Sequence, residues 1–185
     1  MHPYRMQRLI KDRGKDEVIN VTQRASLYQT ITRLEREGLI SSQRTIRDDK
    51  RPDRTVYKIT RRGREVALEW MRQILSTPSR EYPEFPAALS FLAVLSPEDA
   101  LHQLELRAKA VGAELARIDE GLKQAAQIPR LFLVEIEYLR AVHATELTWV
   151  KSVVKDLRAG RLTWSEAWVR QVAAELSPSS AGSSE

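Results

Sequence analysis

The chain contains no cysteine, which excludes disulfide frameworks, thiol nucleophiles and thiolate zinc sites and agrees with a reducing compartment. Long apolar runs are also missing. The longest, Ala87 to Leu95, is broken by Ser90 and falls far short of the ~20 residues that a spanning helix requires. Behind Met1 stands the polar, basic stretch HPYRMQRLIKDRGK instead of an apolar export core, so a cytoplasmic protein without a membrane partner is expected. Glycine is scarce, with seven residues at 14, 38, 63, 112, 121, 160 and 182. At that spacing neither a dinucleotide fingerprint nor a phosphate-cradling loop can be written. His2, His102 and His143 occupy different segments with no paired ligand spacing, and no nucleophile-elbow string occurs. The expectation is a protein that is not an enzyme and that uses no metal and no cofactor.

What is present is length and charge. The 185 residues, 42% apolar and 30% charged, suit one domain or two small ones. The net charge of +5 is unevenly spread: residues 1–75 hold 18 basic and 10 acidic side chains, and residues 76–185 hold 12 and 15. A balance of +8 against −3 suggests that a polyanion is met at the N-terminal end alone.

Texture divides the chain into four parts. Residues 1–76 mix short helical patterns with one β-like stretch; 77–86, TPSREYPEFP, hold three prolines and read as a linker; 87–176 are helical; 177–185, SPSSAGSSE, have the composition of a disordered tail. A first helix is expected from Pro3 to Arg13, closed by Gly14. A second should run from Thr22 to Glu37, with Leu27, Ile31 and Leu34 at i, i+4, i+7 and Gly38 as a left-handed C′ residue. Ile40 to Arg47 and Arg54 to Ile59 alternate as strands around the charged turn DDKRPD, and Thr60 should cap a helix from Arg61 to Ser76. Farther on, Ser96-Pro97-Glu98-Asp99 opens a helix to about Gln127, another follows from Arg130 to Ala159, and Thr163 should cap a third that reaches Leu176. The two long helices, about 30 residues each, far exceed the usual ~11 to 12 and call for a partner.

Placed at 100° per residue with Ile31 as reference, Leu27, Leu34 and Tyr28 lie within about 60°, while Thr22, Ser26, Gln29 and Arg33 gather on the opposite side. That side offers hydroxyls, an amide and a guanidinium, groups that hydrogen-bond base edges and phosphates in a major groove. Any surface helix shows polar residues, so the hairpin matters. Arg44, Arg47, Lys50, Arg51, Arg54 and Lys58 face only Asp48, Asp49 and Asp53, and Arg61, Arg62 and Arg64 follow at a helix start. Basic side chains there oppose the helix dipole, a cost that an anionic ligand relieves; a solvated charged loop is the plainer alternative.

Three strings in order, MHPYRMQRLIKDRG, RASLYQTITRLEREGLI and RTVYKITRRGRE, resemble the PadR family of bacterial transcriptional regulators. The resemblance covers residues 1 to about 76 and implies a winged helix-turn-helix. The middle string then supplies the recognition helix and the start of the wing, and the third the returning wing strand and the next helix. Family members begin with an apolar helix ahead of the first string, whereas this chain enters the pattern inside it, so the domain is expected to lack its first helix. Tyr28 keeps two readings, a boundary ring half in the core or a side chain that reaches DNA as the resemblance implies. Gln23 and Arg24 stand near the helix start, where a long side chain can swing to phosphate.

The helical remainder resembles the dimerisation region of the family's longer members in length and pattern only. Some members bind planar aromatic effectors between such helices, which makes Phe132, Trp149, Trp164 and Trp168 candidate effector contacts; equally, these rings can fill a dimer core. The fold class expected is mainly α, a winged helix-turn-helix with a two-stranded β wing followed by long dimerising helices. The function expected is that of a homodimeric repressor that reads a palindromic operator in double-stranded DNA and is released by a small molecule. Its DNA contacts would come from Thr22, Gln23, Arg24, Ser26, Tyr28, Gln29, Arg33, Lys50, Arg51 and Arg54. The alternative is a helical protein-interaction or small-molecule-binding module whose shortened wing domain no longer binds DNA.

Overall fold

A computed structural model describes residues 1–19, 24–48 and 51–176. The chain divides into two compact units, Met1–Glu81 and Tyr82–Glu185. It is mainly helical, with one two-stranded antiparallel sheet in the first unit.

In unit 1, α1 (Pro3–Asp12) starts with a buried proline at its first position, where the missing N–H costs nothing. The ring of His2 caps it: Nδ1 accepts the Tyr4 N–H at 3.2 Å. A single 3₁₀ turn, Lys15–Glu17, follows. Helix α2 (Arg24–Arg36) buries Ile31 and half-buries Leu27 and Leu34, the stripe read from the sequence. It ends where Gly38 takes φ 70° and the Leu39 N–H donates to the Leu34 carbonyl at 2.9 Å, a Schellman-type close that favours glycine. Strands β1 (Ile40–Asp48) and β2 (Arg51–Ile59) pair from Ile40 with Ile59 to Asp48 with Arg51. Both strands extend beyond the bounds that the alternation predicted. Register shifts at Ser42/Arg44 and Ile46/Asp48 explain the shortened reading, because each bulge inverts the period-2 pattern locally. Helix α3 (Arg61–Ser76) begins at Thr60, as expected.

Unit 2 opens with α4 (Glu84–Leu89) and a 3₁₀ turn at Leu92–Val94. Helix α4 begins inside the proline-rich stretch read as a linker; Pro83 stands just outside the helix and Pro86 in its first turn, where proline is tolerated. Helices α5 (Pro97–Gln124) and α6 (Val134–Arg158) pair along their length. Ion pairs Glu105–Arg158, Arg107–Glu146 and Asp119–Arg140 fix their direction as antiparallel. Between them lies the core, Leu104, Val150, Val154 and Leu157, with Phe85, Leu101, Ala108, Val153 and Trp164 packed against it.

Three boundaries differ from the sequence reading. Helix α5 stops at Gln124, and α6 starts at Val134 after a 3₁₀ turn over Arg130–Phe132. Helix α7 (Glu166–Leu176) is capped by Ser165, whose Oγ accepts the Trp168 N–H at 3.2 Å, and not by Thr163. Both residues are competent caps, and the helix starts directly after Ser165. Among the described residues no helix is long and apolar enough to cross a membrane.

Candidate nucleic-acid interface

The orientation of α2 in unit 1 is fixed by a small set of backbone-directed bonds around Thr60. Its Oγ1 donates toward the carbonyls of Gly38 at 2.8 Å and Leu39 at 3.1 Å, and accepts the Gly63 N–H at 2.9 Å. The Thr60 N–H also reaches the Leu39 carbonyl, at 3.0 Å. One hydroxyl thereby joins the end of α2, the start of β1 and the first turn of α3. Gly63 makes the approach sterically feasible: a Cβ there would lie 1.9 Å from the Leu39 carbonyl oxygen. From the other side, the Ser42 N–H donates to Glu35 Oε1 at 3.2 Å, tying α2 to β1.

On this frame Ser26, Gln29 and Arg33 are all exposed, opposite buried Ile31. Tyr28 is 51% exposed, so its ring combines the boundary and solvent-facing positions left open by its helical angle. Arg24 is the first residue of α2, and Arg51 and Arg54 belong to β2. Thr22, Gln23 and Lys50 lie outside the described residues. Lys58, Arg61, Arg62 and Arg64 are exposed around the second strand and the α3 start, with Arg61 held 3.4 Å from Glu65. Met1 also pairs with the wing: the Tyr57 N–H donates to the Met1 carbonyl at 3.1 Å, and the Met1 amino group donates to the Tyr57 carbonyl. No local pattern signals a contact across 56 positions.

The four aromatic candidates of unit 2 are not brought together. Trp149 is edge-on to Phe85, with ring centroids 6.1 Å apart and planes at 80°. Trp164 is half-buried, its Nε1–H donating to the Leu95 carbonyl at 2.9 Å. Phe132 and Trp168 are exposed, and about four turns of α6 separate Phe132 from Trp149. A polar constellation missed in the sequence stands beside Trp149. The Arg107 guanidinium stacks 3.4 Å over Phe85 and bonds Glu146 through Nε at 2.6 Å. Among the described residues no cluster of His, Asp or Glu is suited to a metal ion.

Residues 1–69 match the model of the transcriptional regulator PadR-like family. Comparison with curated protein sequences yields no match. Among solved structures, Bacillus subtilis PadR in complex with operator DNA superposes with a TM-score of 0.66 at 17% identity, covering 85% of this chain and 89% of that one. The same protein in complex with p-coumaric acid gives 0.67 at 15% identity, over 85% and 90%. The Vibrio cholerae virulence activator AphA gives 0.62 at 20%, over 85% and 89%. At such identities the structural likeness establishes the fold alone. In sequence, residues 1–69 are thus similar to the PadR-like family of transcriptional regulators.

Proposed function

We propose that the protein is a sequence-specific DNA-binding regulator, a homodimeric repressor that a small molecule releases from a palindromic operator. The observation that carries this reading is the exposed polar face of α2, Ser26, Gln29 and Arg33, in a domain matched to a family of transcriptional regulators. Its amide and guanidinium suit base edges, and the basic residues of β2 and the α3 start suit the flanking phosphates. The operator complex of the B. subtilis relative supports DNA as the ligand, and its p-coumaric acid complex supports a small-molecule effector. A second copy of the chain is supported by apolar side chains that unit 2 leaves exposed on and before α6, among them Leu131, Phe132, Tyr138 and Val142. Exposed apolar surface of this kind marks association sites, and a two-fold dimer reads half-sites ~34 to 36 Å apart.

Titration of fluorescent DNA at several salt concentrations, against selected and scrambled sequences, tests the reading. Arg33→Ala is expected to cost ~1 to 3 kcal/mol on the selected sequence alone, and Arg51→Ala to weaken both and flatten the salt slope by about one unit. Equal loss on both DNAs for the Arg33 variant removes its base-reading role. Absence of any salt-dependent binding by the intact chain overturns the proposal.

A further inference from the structure

The paired helices α5 and α6 are not alike along their length. At one end the core cluster of Leu104, Val150, Val154 and Leu157 is walled by Phe85, Ala108 and Trp164. At the other, Ile118 is buried and Asp119 pairs with Arg140 across the helices. Between them lies Gly112, where an added Cβ would meet Leu147 Cδ2 at 3.9 Å, an ordinary contact. Packing therefore does not require glycine there, and in a helix interior glycine weakens the helix relative to alanine. We infer that α5 and α6 share a joint at the level of Gly112 and the segment His143 to Thr148, about which the two ends of the helix pair flex as separate blocks. Such a joint belongs to unit 2 alone and does not depend on DNA binding.

The facing stretch of α6 is weakened as well. Thr145 Oγ1 donates to the Ala141 carbonyl at 2.9 Å and Thr148 Oγ1 to the Ala144 carbonyl at 2.8 Å, on either side of Leu147 in sequence. Hydroxyl back-bonds of this kind share carbonyls with the helical ladder and bend helices. His143, one turn before Leu147, has its Nδ1 buried without a hydrogen-bond partner among the described residues. The closed pair leaves that nitrogen unsatisfied, and bending can expose it to water. Between Arg107–Glu146 and Asp119–Arg140 the ladder of cross-helix ion pairs lapses among the described residues. Glu114 instead bonds Arg117 on its own helix, Nη2 to Oε1 at 2.5 Å. That bond is the chief reason its carboxyl sits below the ordinary range, with His143 adding a smaller pull from α6. These weaknesses coincide at one level of the two helices, so neither helix braces the other there. The block beyond the joint carries exposed Phe132 and Tyr138, and bending re-aims that apolar surface while the core end stays fixed.

The test uses the full chain. Because it contains no cysteine, His102→Cys with Glu120→Cys places two spin labels at exposed sites of α5 on either side of Gly112. Electron–electron double resonance then reads the distance between them, ~27 Å along a straight helix. A broad distribution is expected. Gly112→Ala with Thr145→Val should narrow it at least twofold. Gly121→Ala is the control: nothing lies within 4 Å of a Cβ there, and it raises helix propensity outside the labelled stretch, so the distribution should not change. Hydrogen exchange of the unlabelled chain should run at least tenfold faster at residues 112–116 and 143–148 than around Leu104, Val154 and Ile118, and the double variant should remove the excess. A wild-type distribution as narrow as that of the double variant overturns the joint. Equal narrowing by Gly121→Ala also overturns it, since softness would then belong to the whole helix. So does exchange that rises smoothly toward the α5–α6 connection, which is fraying from the tip.

Discussion

The two units hold their shape by different means. Among its described residues unit 1 buries few apolar side chains, Ile31 and Leu39 beside Pro3, and closes its backbone around Thr60 and Gly63. Unit 2 has a shared apolar core, in which Val150 is fully buried against Leu104 across two long helices. The contrast matches their charge. On the proposed function, a basic surface kept open to DNA leaves little room for burial, while the acidic, helical unit can commit a face of each helix to packing. A domain with a thin core is sensitive to geometry at single backbone positions, and a helical pair is sensitive to volume.

Four substitutions put that contrast to the test. Gly63→Ala should be the most damaging, at about 3 kcal/mol or more, because the new methyl meets backbone instead of a side chain that can move. Circular dichroism melting should show unit 1 lost first; a wild-type melting curve would mean that α3 can slide. Leu104→Ala should cost about 3 kcal/mol in unit 2 by opening a cavity against Val150. Hydrogen exchange should locate that loss in α5 and α6 with α2 unaffected, and equal loss in both units would erase the distinction between them. Trp164→Phe keeps an aromatic ring but removes both the N–H bonded to Leu95 and the volume of the fused ring packed against the core, an expected loss of about 1 to 2 kcal/mol in denaturant titration.

The smallest effect concerns the start of α5. Ser96 Oγ accepts the Asp99 N–H at 3.2 Å, and Ser96→Ala should cost about 1 kcal/mol at neutral pH. The Glu98 carboxyl is held below the usual carboxylate range, first by its backbone hydrogen bond and then by Ser96. A depressed folded value means that the contribution is present above the ordinary carboxylate range and is lost as pH falls through the folded value. The variant should therefore resemble wild type most closely in acid. A gap that stays constant from neutral pH into acid would show that Glu98 and the cap are uncoupled.

Legibility followed the range of the interaction. The α2 stripe, the Gly38 stop, the Thr60 cap and the Ser96-Pro97 start involve residues within one or two turns, so spacing and residue type suffice to read them. The hairpin was read short because the two bulges break alternation, and the Ser165 cap was misassigned because two good caps stand two residues apart. The start of helix α4 was missed because this helix of fewer than two turns begins among prolines that suggest a linker. The candidate DNA face was legible wherever a helical angle defines exposure, as for Gln29 and Arg33. The Phe85–Arg107–Glu146 constellation was not, since its members are drawn from α4, α5 and α6.

By itself the sequence determined the helical class, the division of charge, the polar face of α2 and the likeness of residues 1–69 to a family of regulators. Each follows from local periodicity, from composition or from ordered strings of residues. The tertiary structure alone decided that Gly63 stands under the Leu39 carbonyl, that Trp164 spends its N–H on Leu95, and that one arginine serves both an aromatic ring and a carboxylate. Those outcomes depend on where separate elements are brought by packing, and no spacing along the chain encodes them.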